Sequence, residues 1–252
     1  MRMLLNCFEC QTNEGFPSVS MAEYNDSGVF HLTCSQGHQS ITVLQQNRFE
    51  LLFEIACNAI NDGYYREAVS SFAASLERFY EYAIRVMLKS ANTSPDVFNR
   101  CWKEVSNQSE RQLGAFILLW AAFWGEKPEI LDQDKQEDWP KFRNRVVHKG
   151  AIPSKEEAIL FGEKIHRVIT PLRSSLSQRM ASACTDVMFD ALREMTPKDH
   201  KGPVATASMN FFMRASDGVP AEDLRGHLTL LKERANNMRT SSLFFGGGES
   251  QR

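Results

Sequence analysis

Arg143, Asn144 and His148 carry side chains whose types and spacing can act on a phosphodiester. A guanidinium binds and polarises phosphoryl oxygens, an amide orients them, and an imidazole moves a proton near neutral pH. On a helix, Asn144 and His148 stack one turn apart on one face, with Arg143 about 100° around. His148 falls at the helix end, where the partial negative charge of the unpaired carbonyls favours an imidazolium. Phe142, Val146 and Val147 supply an apolar face, and Gly150 with Pro153 stops the helix. Lys141, Arg145 and Lys149 surround the triplet and form a local basic patch suited to a substrate backbone. A plainer reading stays open, in which the cations are a solvated helix end and His148 is a capping side chain.

The run Phe142-Arg-Asn-Arg-Val-Val-His-Lys-Gly-Ala-Ile-Pro153, followed by the helix start Glu156-Glu157-Ala158, resembles the signature segment of the HEPN superfamily. The likeness covers roughly residues 48 to 195 and is most specific from 142 to 153. It implies an all-α bundle and, for many members, metal-independent RNA cleavage in bacterial defence, toxin–antitoxin or RNA-processing settings. Arg143, Asn144 and His148 match the Arg-polar-x3-His motif position for position. Other members serve as binding or assembly modules, so a non-catalytic interaction module is the rival expectation. One His cannot readily be both base and acid on opposite sides of one phosphorus. A homodimer that apposes two motif helices is therefore expected, with RNA as substrate and an antitoxin or regulatory protein as a further possible partner.

Elsewhere the cysteines form a second constellation. Cys7-x2-Cys10 and Cys34-x3-His38 present two ligand pairs from two backbone corners, the arrangement of a structural Zn2+ site of the Cys3His type. The second pair is one residue longer than the usual Cys-x2-Cys, and His31 is an alternative fourth ligand. On a strand ending at Cys34, His31 points to the opposite face, which favours His38. Val29 to Thr33 alternates as the strand entering this corner, and Gly37 permits its turn.

These groups need a scaffold, and the apolar pattern describes one. The fold expected is mainly α, a HEPN-like antiparallel bundle carrying a small N-terminal β zinc ribbon. Boundaries fall at 1–45 for the ribbon, 46–195 for the bundle, 196–240 for a helical appendage and 241–252 for a disordered tail. Phe49, Leu52, Phe53, Ala56 and Ile60 stripe a first helix; Val69, Phe72, Leu76, Phe79, Ala83 and Met87 stripe a longer second. Pro95 to Val105 suggests a short helix, Gln112 to Trp124 a buried one, and the acidic stretch through Asp138 a weakly patterned link. Ser154 caps the next helix, whose stripe runs from Ala158 to Leu176 with a kink at Pro171. Met209 to Met213 is a short apolar patch, and Pro220 to Met238 a further helix.

Composition bounds the rest. A hydrophobic content of 42% is enough for a core, and a formal charge of −2 excludes an indiscriminate polyanion binder. No apolar run approaches the 18 or so residues of a membrane span, so a cytoplasmic protein without membrane contact is expected.

Overall fold

A computed structural model describes residues 2–14, 18–199, 204–209, 212–214 and 223–245. Eight α-helices and five strands lie among these residues, which makes the protein mainly helical with a small strand region at the N-terminus. In chain order they are β1 (Arg2–Asn6), β2 (Val19–Glu23), β3 (Val29–Thr33), β4 (Gln39–Leu44), α1 (Arg48–Asn61), α2 (Tyr65–Ser90), α3 (Pro95–Val105) and α4 (Ser109–Trp124). There follow α5 (Trp139–Val147), α6 (Lys155–Arg179), α7 (Ala181–Met195), β5 (Val204–Ala207) and α8 (Leu224–Phe245). The chain forms two compact units, one of Met1–Arg48, Glu77–Pro128 and Pro171–Asn210, the other of Phe49–Leu76, Glu129–Thr170 and Phe211–Arg252.

In the first unit, β1 pairs antiparallel with β2, and β3 with β4. Strand β3 alternates as its sequence requires, with Phe30 and Leu32 buried and His31 and Thr33 exposed. Met3, Leu5, Ala22, Phe30, Leu32 and Leu44 close one core. The other face of β4 presents Ile41 and Val43 to Leu192, Met188 and Met195 of α7. Buried on both faces, β4 is continuously buried from Ser40 to Leu44 instead of alternating, with Ser40 and Thr42 as polar members of the run. The sheet also takes a strand from the segment expected to be appendage. Val204–Ala207 pairs in parallel with β4, and Gln45 and Gln46 reach across to Thr206 Oγ1 (2.7 Å) and the Met209 carbonyl (2.8 Å).

Helix α4 departs from its expected burial. Only Gln112, Phe116 and Trp120 are buried, and Leu118 is 73% exposed. One face suffices, because Phe116 stacks on Tyr80 of α2 at 4.7 Å between ring centroids. Helices α6 and α7 part at Met180, whose φ of −134° and ψ of 38° lie outside the helical range. Helix α6 continues through Pro171 to Arg179.

In the second unit, Ser75 donates to the Phe49 carbonyl at 2.7 Å and ties α2 to α1 inside the core. Phe53 meets Phe72 edge to face at 4.7 Å. Phe212 and Met213 of the short apolar patch are buried, while residues 210 and 211 between them and Met209 lie outside the described residues, as do Pro220 and the tail from 246. The rest of the expected tail, residues 241–245, continues α8.

Gly162 of α6 faces the fully buried Phe72 ring, and an added Cβ would sit 2.6 Å from it and 2.9 Å from Leu224. Alanine is the better helix former by about 1 kcal/mol, but overpacking of this kind costs about 1–3 kcal/mol. Gly162→Ala is expected to lower the urea midpoint of unfolding, a net loss of about 1 kcal/mol, with an unchanged denaturant slope.

Candidate functional sites

Helix α5 begins where Asp138 accepts the Lys141 amide N–H at 3.1 Å, with Pro140 in its first turn. Trp139, Phe142 and Val146 are buried, and Phe161 of α6 receives the Trp139 and Phe142 rings at 6.1 and 5.4 Å. The acidic stretch ahead of it is organised. Asp134 Oδ1 accepts the amides of Gln136 (2.9 Å) and Glu137 (3.2 Å), and Oδ2 accepts the Trp139 indole N–H at 2.7 Å. That indole donor first, then the Gln136 amide, and also Lys164 nearby, hold the Asp134 carboxyl down at about 2. Beyond α5, Gly150 turns the chain at φ +72°, a conformation that favours glycine. Ser154 and Glu157 then form a capping box: Ser154 Oγ accepts the Glu157 N–H at 3.2 Å, and Glu157 Oε2 accepts the Ser154 N–H at 2.7 Å.

On this frame Arg143, Asn144 and His148 come together. Arg143 Nη1 donates to Asn144 Oδ1 at 3.0 Å and lies 3.1 Å from His148 Nε2, with Asn144 and His148 exposed. A guanidinium has donors only, so this contact requires a lone pair on Nε2 and therefore a neutral imidazole protonated at Nδ1.

The flanking cations are arranged differently from the open patch expected. Lys141 pairs with the capping Asp138 at 2.9 Å; the bond lowers the Asp138 carboxyl and raises Lys141. Arg145 lies 3.7 Å from Glu137 and 3.9 Å from Glu157, with its guanidinium 5.3 Å from the Phe142 ring. Lys149 is exposed. Asp138 lies three residues before Lys141, a spacing open to the sequence, whereas spacing along α5 could not reveal that Glu137 and Glu157 of the neighbouring segments face Arg145.

In the first unit, Cys7, Cys10, Cys34 and His38 place their ligand atoms within 4.8 Å of one another and could hold a metal ion. The three cysteines are buried. Gly37 makes the second corner at φ +82°, closed by Gly37 N–H to the Cys34 carbonyl at 2.9 Å. Cys10 Sγ lies 3.7 Å from Cys34 Sγ, far beyond a disulfide bond of about 2.05 Å. His38 Nδ1 lies 3.3, 3.6 and 3.9 Å from the sulfurs of Cys10, Cys34 and Cys7. A tetrahedral centre with M–S of about 2.3 Å and M–N of about 2.0–2.1 Å sets sulfurs about 3.8 Å apart and S···N about 3.5 Å. The observed spacings match. His38 turns its other nitrogen, Nε2, toward Glu9 Oε2 at 3.7 Å, beyond hydrogen-bond reach, a neighbouring carboxylate that Cys/His spacing alone does not signal. His31 lies on the exposed face of β3, away from the cluster.

The thiols share protons unequally. Burial, then hydrogen bonding to Cys34 and Cys7, pushes Cys10 up to about 12. Burial raises Cys34 too, but the amides of Gln36 and His38 and the thiols of Cys10 and Cys7 outweigh it and bring it down to about 6.

Comparisons of the chain with protein-family models, with curated proteins and with solved structures find no match.

Metal capture must remove the Cys10 proton at any pH below about 12, so affinity is expected to rise with pH. Below about 6 the Cys34 proton must leave as well. The plot of log affinity against pH, measured by competition with a chromogenic chelator, should steepen on crossing from pH 7 to pH 5.

Proposed function

We propose that the protein is a metal-independent endoribonuclease of the HEPN type, acting as a homodimer in which two α5 helices meet. The observation that supports this reading is the Arg143–His148 pair, a half-buried guanidinium and an exposed imidazole 3.1 Å apart. Binding of an RNA phosphate would draw Arg143 off the neutral imidazole, because a charge-assisted pair is the stronger one. His148 Nε2 would then accept the 2′-hydroxyl proton as the 2′-oxygen bonds to phosphorus. The bond to the 5′-oxygen breaks, and the His148 of the second protomer, which must enter this step as the imidazolium with its own Arg143 likewise drawn off, gives that oxygen its Nε2 proton; exchange with water then returns both imidazoles to their starting forms. The products are a 2′,3′-cyclic phosphate and a 5′-hydroxyl. Arg143 would stabilise the charge gained by the phosphoryl oxygens, with Asn144 orienting them. Lys149 would contact the backbone, and Lys141 and Arg145 would do so only on exchanging their carboxylates.

The metal at Cys7, Cys10, Cys34 and His38 is read as Zn2+ in a structural role, since four protein ligands leave no open position. The HEPN-type bundle is the fold in which this chemistry is expected, and an antitoxin or regulatory protein remains part of the proposal as a partner.

A second reading has its own support. Lys141 and Arg145 are already paired with acidic side chains, which shrinks the cationic surface offered to a polyanion. That favours a binding or assembly module in which Arg143 and His148 serve recognition.

Cleavage of a mixed RNA pool in EDTA, with product ends mapped chemically, separates the two. On the first reading His148→Ala lowers the rate about 10²–10⁴-fold and Arg143→Ala about 10²–10³-fold, both with unchanged circular dichroism. Equal cleavage by wild type and His148→Ala would sink the nuclease assignment. Absence of cleavage by any of the proteins supports the module.

A further inference from the structure

Among the polar side chains buried along α1 are Glu54 and Cys57, one turn apart. His227 of α8 joins them and is 5% exposed. Its Nε2 lies 3.0 and 3.2 Å from the two carboxylate oxygens of Glu54. Glu54 Oε2 also accepts the Phe212 amide N–H at 3.3 Å. The ligand atoms of Glu54, Cys57 and His227 all lie within 4.8 Å of one another. Around them the surface is aromatic, with Phe212 4.9 Å from the His227 ring and 5.7 Å from Phe53.

We propose that Glu54, Cys57 and His227 form a second metal site, which takes one divalent ion of the zinc class and fastens α8 to α1. Three observations carry it. The first is the donor set: one carboxylate oxygen, one sulfur and one imidazole nitrogen suit an ion of borderline softness. The second is charge. A carboxylate and a thiolate together neutralise a 2+ ion, and the imidazole adds none, so the centre is neutral where a net charge is costly. The third is geometry. One N–H shared between oxygens at 3.0 and 3.2 Å is a divided hydrogen bond. Two metal bonds of about 2.0–2.1 Å at a tetrahedral angle separate N and O by about 3.3 Å, close to what is seen.

Metal capture removes the proton of Cys57, which burial and then the Glu54 carboxylate otherwise hold on the sulfur. The rival account is a Glu54–His227 pair joined by a proton, with Cys57 a bystander. Helix α8 has other ties to this unit, Asn61 Nδ2 to the Leu228 carbonyl at 2.9 Å and Arg225 to Glu163 at 3.3 Å. Removing one ligand is therefore expected to leave α8 docked.

The test is the cobalt content and absorption of the full chain reconstituted with Co2+. Wild type is expected to hold two ions, Cys57→Ser and His227→Gln one each, and Cys34→Ser one. The ion left in Cys34→Ser should show a weak thiolate-to-cobalt band from a single sulfur, absent from the Cys34→Ser/Cys57→Ser double variant. The proposal is overturned if wild type holds one ion, or if Cys57→Ser keeps both. Circular dichroism of Cys57→Ser, a change of one atom, checks that the fold survives.

Discussion

Helix α5 is nine residues long, and a helix of that length is marginal in water on its own hydrogen bonds. Its geometry depends on what the rest of the unit does to it. The Trp139 and Phe142 rings against Phe161 fix which face turns inward, and Val146 continues that face. The indole bond to Asp134 sets the Trp139 rotamer, while Asp138 and the Gly150 turn define the two ends. With the inner face fixed in this way, Arg143, Asn144 and His148 have little choice but the outer one. Their mutual contacts need no further apparatus, since one helical turn already places them within reach.

The N-terminal sheet meets a different shortage. Strands of four to six residues in groups of two and three cannot close a large core. The protein supplements them twice. The cluster of Cys7, Cys10, Cys34 and His38, which could hold a metal ion, gathers the corners of both hairpins, β1–β2 and β3–β4, at one place. From the far end of the sequence, β5 protects the edge of β4 that would otherwise present unpaired N–H and C=O groups, while α7 covers its second face.

How much of this could be read from the sequence follows from how local each determinant is. Cys-x2-Cys and Cys-x3-His are short spacings at two tight corners, so the gathering of Cys7, Cys10 and Cys34 around His38, with His31 turned away, was legible. The ends of α3 and the Ser154 cap were legible for the same reason, as was the strand before Cys34. The pairing of β5 with β4 joins residues some 160 apart and carries no local mark: Val-Ala-Thr-Ala is a weak strand pattern beside a Pro. The carboxylates facing Arg145 come from segments on either side of α5, so a patch counted along the helix overstates its free charge. Glu54 and Cys57 were hidden among the apolar positions of α1, and nothing near them in sequence points to His227.

The electrostatics of the α5 end bear on how the two functional readings differ physically. A protein that binds RNA by bulk attraction needs many unpaired cations, and its affinity falls steeply with salt. Here Lys141 and Arg145 are engaged with carboxylates, and the chain as a whole is slightly acidic. Arg143 lies 3.0 Å from the Asn144 amide oxygen and 3.1 Å from His148 Nε2, and a phosphate would compete for it through a charge-assisted pair. An arrangement of this kind gives little general attraction and one strong local contact. It suits a site that receives a single phosphate presented by a shaped RNA or by a bound partner, and it makes geometry, more than charge, the basis of selection.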